Sequence, residues 1–226
     1  MKALQAQINP HFLYNTLDSI IWMSEAGEND QVVLMTSALA KLLRQSISND
    51  REQITVAEEI DYVRSYLTIQ KMRYKDKLEY TIDVEERILD VRIIKFVLQP
   101  LVENAIYHGL KYKETKGNLD IRGYRRGNRV CLVVADDGAG MEESELEHIL
   151  EKKEKKTKSN GVGVYNVQKR LQLYYGPEYG ISYISRKGEG TVATVTIPLD
   201  GGKSNEGNNL YWECMSSERI QRDCPE

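Results

Sequence analysis

The segment LQPLVENAIYHG, residues 98–109, lies inside a longer stretch, residues 94–110, that we predict to be one helix. Asn104 and His108 are four residues apart, so both side chains are expected on one helical face. An amide oxygen and an imidazole on one face suit a hydrated magnesium ion and phosphate oxygens, because magnesium keeps several waters and takes few protein ligands. Glu103 is a candidate base beside them. A solvent-facing polar stripe has the same pattern, so this segment alone leaves the function open.

The chain on both sides of this segment alternates between strands and helices. An Arg-Gly-Asn sequence at 126–128 is typical of a hairpin between two of the strands. This order predicts an α+β fold in which helices and strands form separate layers, with a lysine-rich connector at 152–160. The predicted strands are 78–84, 119–124, 129–135, 179–186 and 191–198, and the further predicted helices are 142–154 and 164–175.

Residues 1–75 are predicted to be helical, because they contain one glycine and one proline and repeat apolar residues at close to the 3.6-residue period. The first helix covers residues 4–23, and Asn9-Pro10 either interrupts it or begins a new helix with Asn9 as its N-cap. The second runs through Val33 to Leu43, and the third covers 57–74. A bundle this small buries little apolar surface on its own. We therefore expect a second copy of the chain to complete it as a homodimer.

Composition excludes several classes of protein. The 226 residues include 31 Lys plus Arg and 34 Asp plus Glu, and the net charge of −3 gives no bulk reason to bind nucleic acid or an anionic membrane. No apolar run reaches the roughly 18 residues of a membrane helix. Three cysteines without a CxxC pair indicate neither a disulfide framework nor a zinc site, which favours the cytoplasm. We expect residues 200–226 to be a flexible, polar tail.

A second chemical motif is QINPHFLYN, residues 7–15. His11 follows Pro10 in the first turn of a helix, and Asn15 lies four residues later on the same face. An imidazole in this position can act as a nucleophile, and the amide can hydrogen-bond the ring or a nearby water. A helix-capping or surface histidine remains the alternative.

A third motif, DDGAGM, follows the predicted strand that ends at residue 135. The Asp136 carboxylate can accept a hydrogen bond from an adenine amino group, while Gly138 and Gly140 let the backbone approach a flat ligand closely. A plain turn is the alternative.

Two glycine pairs are weaker signals. Gly161 and Gly163 precede a helix whose N-terminus could bind a polyphosphate. The Gly-Glu-Gly-Thr sequence ending at Thr191 opens the last strand, where glycines also form ordinary hairpins.

The order and spacing of these motifs resemble those of the LytS/YesM-type sensor histidine kinases of bacterial two-component systems. The resemblance covers about residues 3–199 and includes QINPHFLYNTL, LQPLVENAIYHG, DDGAGM, GVGVYNVQKRL and GEGTVATVTIP.

The resemblance implies two domains. Residues 1–75 would be a dimerisation and phosphotransfer bundle with His11 as the phosphorylated residue. Residues 76–199 would be the α/β-sandwich ATP-binding domain shared with Hsp90, DNA gyrase and MutL, with Asn104 holding magnesium and Asp136 binding adenine. The four glycines at 138, 140, 161 and 163 would frame the nucleotide lid, and Thr191 would contribute to the same nucleotide site.

The function implied by the resemblance is ATP-dependent autophosphorylation of His11, followed by transfer to an aspartate of a response regulator. The ATP-binding domain would swing about a hinge at 70–80, and Asn15 could orient water for dephosphorylation of the regulator. The chain would be the cytoplasmic portion of an integral membrane protein. One alternative is an ATP hydrolase in which Glu103 activates water, and another is a nucleotide-binding regulatory dimer.

The sequence departs from the family pattern at two positions. Phe12 occupies the place of the acid that commonly follows the phosphorylated histidine, so the acceptor of the imidazole proton is open. Tyr107 stands where many relatives have a phosphate-binding lysine. His108, or a lysine between 152 and 158, would then supply that charge, although a solvated loop also explains those lysines. The lid at 141–160 is short.

Overall fold

The computed structural model describes residues 10–47, 51–111, 113, 115–150 and 162–200. Its first part contains three helices, α1 (Pro10–Glu25), α2 (Asn29–Ile47) and α3 (Val56–Tyr74). A three-residue connector separates α1 from α2, and Thr55 caps α3 through a capping box with Glu58. The second and third predicted helices are confirmed. The predicted turns before Pro10, including the Asn9 cap, lie outside the described residues.

The three helices pack through α2, which contacts α1 on one side and α3 on the other. Met35 and Leu42 of α2 and Leu67 of α3 are fully or almost fully buried. On α1, however, Ile21 and Trp22 are 53% and 67% exposed. The single chain therefore leaves part of the apolar surface of α1 uncovered.

The second part of the chain is built on a five-stranded sheet. Its spatial order is β2-β4-β5-β7-β6; β2 and β4 are parallel and the other neighbours are antiparallel. Every predicted strand is present with ends that differ by at most two residues. The strands are β2 (Leu78–Val84), β4 (Gly117–Arg126), β5 (Arg129–Asp136), β6 (Gly180–Arg186) and β7 (Gly190–Pro198).

Helices cover one face of this sheet. α4 (Leu98–Asn104) continues as a π-helical segment over Ala105–Leu110, and α5 (Glu143–His148) and α6 (Val162–Tyr175) follow. Leu132 and Val195, which face these helices from the two central strands, are fully buried. The arrangement is an α/β sandwich with its core between the helices and the sheet.

The helix predicted over 94–110 begins later in the structure, at Leu98. Ile94 ends a short strand, β3 (Arg92–Ile94), which pairs with another short strand, β1 (Gln53–Thr55). Phe96 then adopts a positive φ of 57°, a conformation that no helix can contain, so α4 starts only at Leu98. The sequence analysis did not find β1 and β3, because three residues are too few to display alternation.

Two other predicted segments can be compared only in part. The helix predicted over 142–154 is shorter, since α5 ends at His148, and residues 151–161, with the lysine-rich connector, lie outside the described residues. The predicted tail beyond residue 200 is likewise not described. Among the described helices, none is long and apolar enough to cross a membrane.

Candidate functional site

A cavity of about 520 Å³ opens between α4, α5 and the ends of the central strands. This volume is within the usual range of small-molecule sites. Five residues that the sequence predicts to bind a nucleotide or its magnesium ion line the cavity together, although they lie up to 87 positions apart in the chain. They are Asn104, His108, Asp136, Gly140 and Thr191.

Asn104 and His108 reach the cavity from consecutive parts of one helix. Asn104 is the last residue of α4, and His108 lies in the π-helical segment that follows. Burial and the nearby Lys111 hold the pKa of His108 below its usual range. In the nucleotide-free chain this favours the neutral imidazole, which can donate a hydrogen bond to a phosphate oxygen.

Asp136 ends β5, and its Oδ1 accepts a hydrogen bond from the Gly138 backbone N–H at 2.9 Å. Burial raises the pKa of Asp136 to about 6. The carboxylate is thus mostly ionised at neutral pH and has only partial access to solvent. It provides a strong hydrogen-bond acceptor beside the apolar side chains of Val134 and Ala193, which suits a flat ligand with a polar donor at its edge.

The glycines after Asp136 bring two loops into contact. A Cβ atom on Gly138 would overlap the backbone of Gly109, and the Ala139 N–H donates to the Gly109 carbonyl at 3.0 Å. Gly140 has a positive φ of 62°, which favours glycine. Gly138 therefore fixes the loop against the π-helical segment, and it is Gly140 that lines the cavity. Gly163 lies near Pro100, and Gly161 is outside the described residues.

Tyr183 is a cavity residue that the sequence analysis missed. It lies on β6 opposite Ala193 of β7, and within the described part of the chain its buried hydroxyl has no hydrogen-bond partner. Burial raises the pKa of this hydroxyl well above its usual value. A buried polar atom without a partner in a cavity is expected to meet one from a ligand or water. The cavity thus offers an acceptor, Asp136, and a hydroxyl, Tyr183, which fit the amino group and ring nitrogens of a purine.

His11 lies in the first turn of α1 and is exposed. The Asn15 amide nitrogen, Nδ2, lies 3.1 Å from Nε2 and 3.2 Å from Nδ1 of the imidazole. The predicted contact between these two side chains is therefore present. The His11 side chain is exposed.

Two family comparisons cover most of the chain. Residues 1–78 match the histidine kinase family, and residues 89–201 match the histidine kinase-, DNA gyrase B- and HSP90-like ATPase family. This chain belongs to the histidine kinases.

Individual relatives agree with this assignment. The histidine kinase is 39% identical over 198 residues to the sensor histidine kinase YesM of Bacillus subtilis. The aligned region covers 88% of this chain and 33% of YesM. It is 34% identical over 203 residues to the sensor protein LytS of Oceanobacillus iheyensis, covering 88% of this chain and 34% of LytS. The chain thus spans about a third of the length of these curated relatives.

Solved structures with low sequence identity confirm the α+β fold class. The histidine kinase domain of a blue-light activated histidine kinase from Erythrobacter litoralis superposes with a TM-score of 0.51 at 15% identity, covering 88% of this chain and 93% of that one. The catalytic domain of histidine kinase ThkA gives a TM-score of 0.50 at 21% identity, covering 65% and 94%.

Glu103 and Tyr107 of this histidine kinase are not among the residues that line the 520 Å³ cavity, and both contact the opposite side. Glu103 accepts a hydrogen bond from Gln99 and lines a separate small cavity that includes Phe12 and Tyr66. Burial raises the pKa of the Glu103 carboxyl. The position of Glu103 argues against the predicted role of activating water beside Asn104.

Tyr107 lies in the π-helical segment after α4, on the same side as Glu103. Its hydroxyl lies 3.4 Å from the Gln70 amide nitrogen of α3. Tyr107 therefore takes no part in the described lining of the 520 Å³ cavity. The lysines at 152–158, which the sequence analysis considered for binding phosphate, lie outside the described residues.

Proposed function

We propose that this chain is the kinase portion of a sensor histidine kinase that transfers the γ-phosphoryl group of ATP to His11 and then to an aspartate of a response regulator. One observation carries the proposal. A cavity of about 520 Å³ lined by Asn104, His108 and Asp136 lies in the same chain as an exposed histidine in contact with Asn15. Family membership supports the use of ATP.

In this proposal, different cavity residues bind different parts of the nucleotide. Asp136 accepts a hydrogen bond from the adenine amino group, and the Tyr183 hydroxyl pairs with a ring nitrogen directly or through water. Asn104 holds magnesium through its amide oxygen, and neutral His108 donates to a phosphate oxygen. Magnesium, when bound, neutralises negative charge on the phosphate oxygens.

His11 is the nucleophile of the proposed reaction. Its unprotonated ring nitrogen forms a bond to the γ-phosphorus while the bond to the bridging oxygen of ADP breaks, and ADP leaves with that oxygen. The proton on the other ring nitrogen is then released. The Asn15 NH₂ group can only donate, and only to the unprotonated ring nitrogen, so this contact is released before that nitrogen attacks. We further propose that Asn15 orients water during dephosphorylation of the regulator.

The partners in this proposal are a second copy of the chain and a response regulator. The exposed apolar residues Ile21 and Trp22 of α1 support association with a second copy. The helical region with His11 is the phosphotransfer part, and the sheet with α4–α6 is the ATP-binding part.

Incubation with magnesium and γ-labelled ATP tests the proposal, with His11→Gln as the paired variant. We expect an acid-labile, alkali-stable label on the wild-type chain and none on His11→Gln. Steady ATP turnover that survives in His11→Gln, without any label, would instead make the chain an ATP hydrolase. Nucleotide binding with neither label nor turnover would indicate a regulatory dimer.

A further inference from the structure

Glu59 of α3 is a completely buried carboxylate that lies outside the nucleotide cavity. Its Oε1 accepts hydrogen bonds from the backbone N–H groups of Val97 and Leu98, both at 2.8 Å. Its Oε2 accepts a third from the N–H of Phe96 at 3.0 Å. Isolated buried carboxylates are very costly, so one that is retained normally has this kind of saturated hydrogen bonding.

These three N–H groups are the donors at the start of α4, the helix that carries Asn104. The N-cap residue of α4, Val97, has no side chain that can accept a hydrogen bond. Glu59 therefore caps α4 from a helix that lies 38 residues earlier in the chain. Its negative charge also matches the positive end of the helix dipole.

Further contacts connect α3 to the segment that leads into α4. β1, directly before α3, pairs with β3, and the N–H groups of Val56 and Ala57 donate to the carbonyls of Val91 and Leu89. The ring of Phe96 packs edge-on against Tyr62 of α3, with ring centroids 5.1 Å apart. The unfavourable positive φ of Phe96 is thus held by contacts with α3.

The other end of α3 is also attached to the sheet. The Lys71 ammonium donates to the Leu78 carbonyl at 2.6 Å and to the Glu79 carboxylate at 2.9 Å. These contacts span the segment at 70–80 that the sequence analysis predicted to be a hinge. A swing about that segment would break contacts at both ends of α3.

The described polar side-chain contacts between α3 and α2 are weaker than those at the start of α4. The ion pair between Lys41 and Asp61 is about half-exposed on both sides, and surface ion pairs of this kind add little stability. The hydroxyls of Ser46 and Tyr62 lie 3.4 Å apart, which is long for a hydrogen bond between hydroxyls. The polar contacts therefore tie α3 more firmly to the start of α4 and to the sheet than to α2, while the contact of α3 with α2 is mainly apolar packing.

We propose that Glu59 is a positioning residue that makes α3 and α4 one rigid unit, so that α3 moves with the ATP-binding part when nucleotide and His11 approach each other. This inference rests on the proposed function, because it assigns Glu59 to the phosphotransfer step. Glu59 sets the placement of α4 against the helical region. It does not touch the nucleotide cavity in the described structure, so its loss affects phosphotransfer much more than nucleotide binding.

The test compares Glu59→Gln with Asp61→Asn in the full chain. Both replace a carboxylate of α3 by its amide, but the Asp61 carboxylate is about half-exposed and pairs with Lys41 at the surface. In Glu59→Gln an NH₂ group replaces one acceptor oxygen, so at least one of the three N–H groups faces a donor. We expect the amides of Phe96–Leu98 to exchange hydrogen about tenfold faster, and the labelling rate at saturating ATP to fall about tenfold. ADP affinity stays within about twofold, and Asp61→Asn behaves as wild type.

Three results would overturn the proposal. One is faster amide exchange with an unchanged labelling rate, which would make Glu59 purely structural. The second is a loss of ADP affinity that matches the loss of rate, and the third is unchanged exchange at 96–98. If the wild-type chain takes up no label, the proposed function fails while the exchange result still tests the link between α3 and α4.

A second variant keeps the test valid if Glu59→Gln does not fold. Tyr62→Leu removes the ring that packs on Phe96 and leaves the Glu59 carboxylate in place. We expect the same pattern, with a reduced labelling rate and retained ADP affinity. Retained rate in Tyr62→Leu, with exchange at Phe96 accelerated, would contradict the proposal.

Discussion

The ring of Phe12 lies 5.2 Å from the ring of Tyr66 and is tilted by 30° against it. Phe12 directly follows His11, and Tyr66 belongs to α3, the helix that Glu59 fastens to the start of α4. A continuous path of packed residues therefore joins the candidate phosphoacceptor to the helix that carries Asn104. This contact gives Phe12, which departs from the acid common in the family, a structural role in holding α1 against α3.

Tyr183→Phe should weaken nucleotide binding without harming the fold. This buried hydroxyl has no partner among the described residues, so its removal costs the nucleotide-free chain little but takes away one hydrogen bond to a bound nucleotide. We expect ADP affinity to fall about three- to tenfold by calorimetry, with an unchanged or slightly higher melting temperature. Tyr179→Phe, outside the described cavity lining, is the control. Equal ADP affinity in Tyr183→Phe and wild type would show that this hydroxyl does not contact the nucleotide.

Nucleotide affinity should decrease in acid because of Asp136. Its pKa of about 6 means that the ionised acceptor is largely present above that pH and is lost as the pH falls through it. We expect the ADP affinity of wild type to decline between about pH 7 and pH 5, relative to Asp136→Asn measured at each pH. The phosphates titrate equally in both proteins, so the difference isolates the carboxyl. Parallel pH profiles would contradict ionisation of Asp136 as the cause.

Asn104→Ala should abolish most of the benefit of magnesium for ATP binding. We expect ATP affinity in magnesium to fall about tenfold and affinity without magnesium to change little. Glu103→Gln is a matched neighbour, since this side chain faces the small cavity beside Phe12, and ATP affinity should stay within about twofold of wild type. If Glu103→Gln loses as much affinity as Asn104→Ala, the assignment of the two faces of α4 is wrong.

Ile21→Ser should weaken the dimer. Ile21 is 53% exposed on α1, where we propose that the second copy binds, and Ile184 of β6 is 75% exposed on the sheet. Each of the two substitutions replaces one exposed isoleucine by serine. Sedimentation equilibrium should give at least about tenfold weaker association for Ile21→Ser and no change for Ile184→Ser. A monomeric wild-type chain, or equal effects of both changes, would disprove an interface on α1.

Sequence patterns predicted the elements that are long and periodic. The alternation at 78–84 gave β2 with its observed ends, and the four-residue spacing of Asn104 and His108 correctly put both side chains on one face. These features depend on neighbours in the chain, which the sequence displays directly.

The missed features depend on residues that are distant in the chain. The start of α4 is set by Glu59 and by the positive φ of Phe96, and neither signal appears in residues 94–98 themselves. Tyr183 meets Asp136 in one cavity only because β6, β7 and β5 are neighbours in the sheet. The inward-facing alternation of β6 was the available signal for Tyr183, but strand order was needed to interpret it.

The most direct test of the phosphotransfer mechanism is to locate the phosphoryl group after incubation with magnesium and ATP. The chain contains only three histidines, at positions 11, 108 and 148, so peptide mass spectrometry at neutral pH can distinguish them. We expect one phosphoryl group, located on the peptide that contains His11. A phosphoryl group on His108, on His148 or on no histidine would contradict the assignment of His11 as the phosphoacceptor.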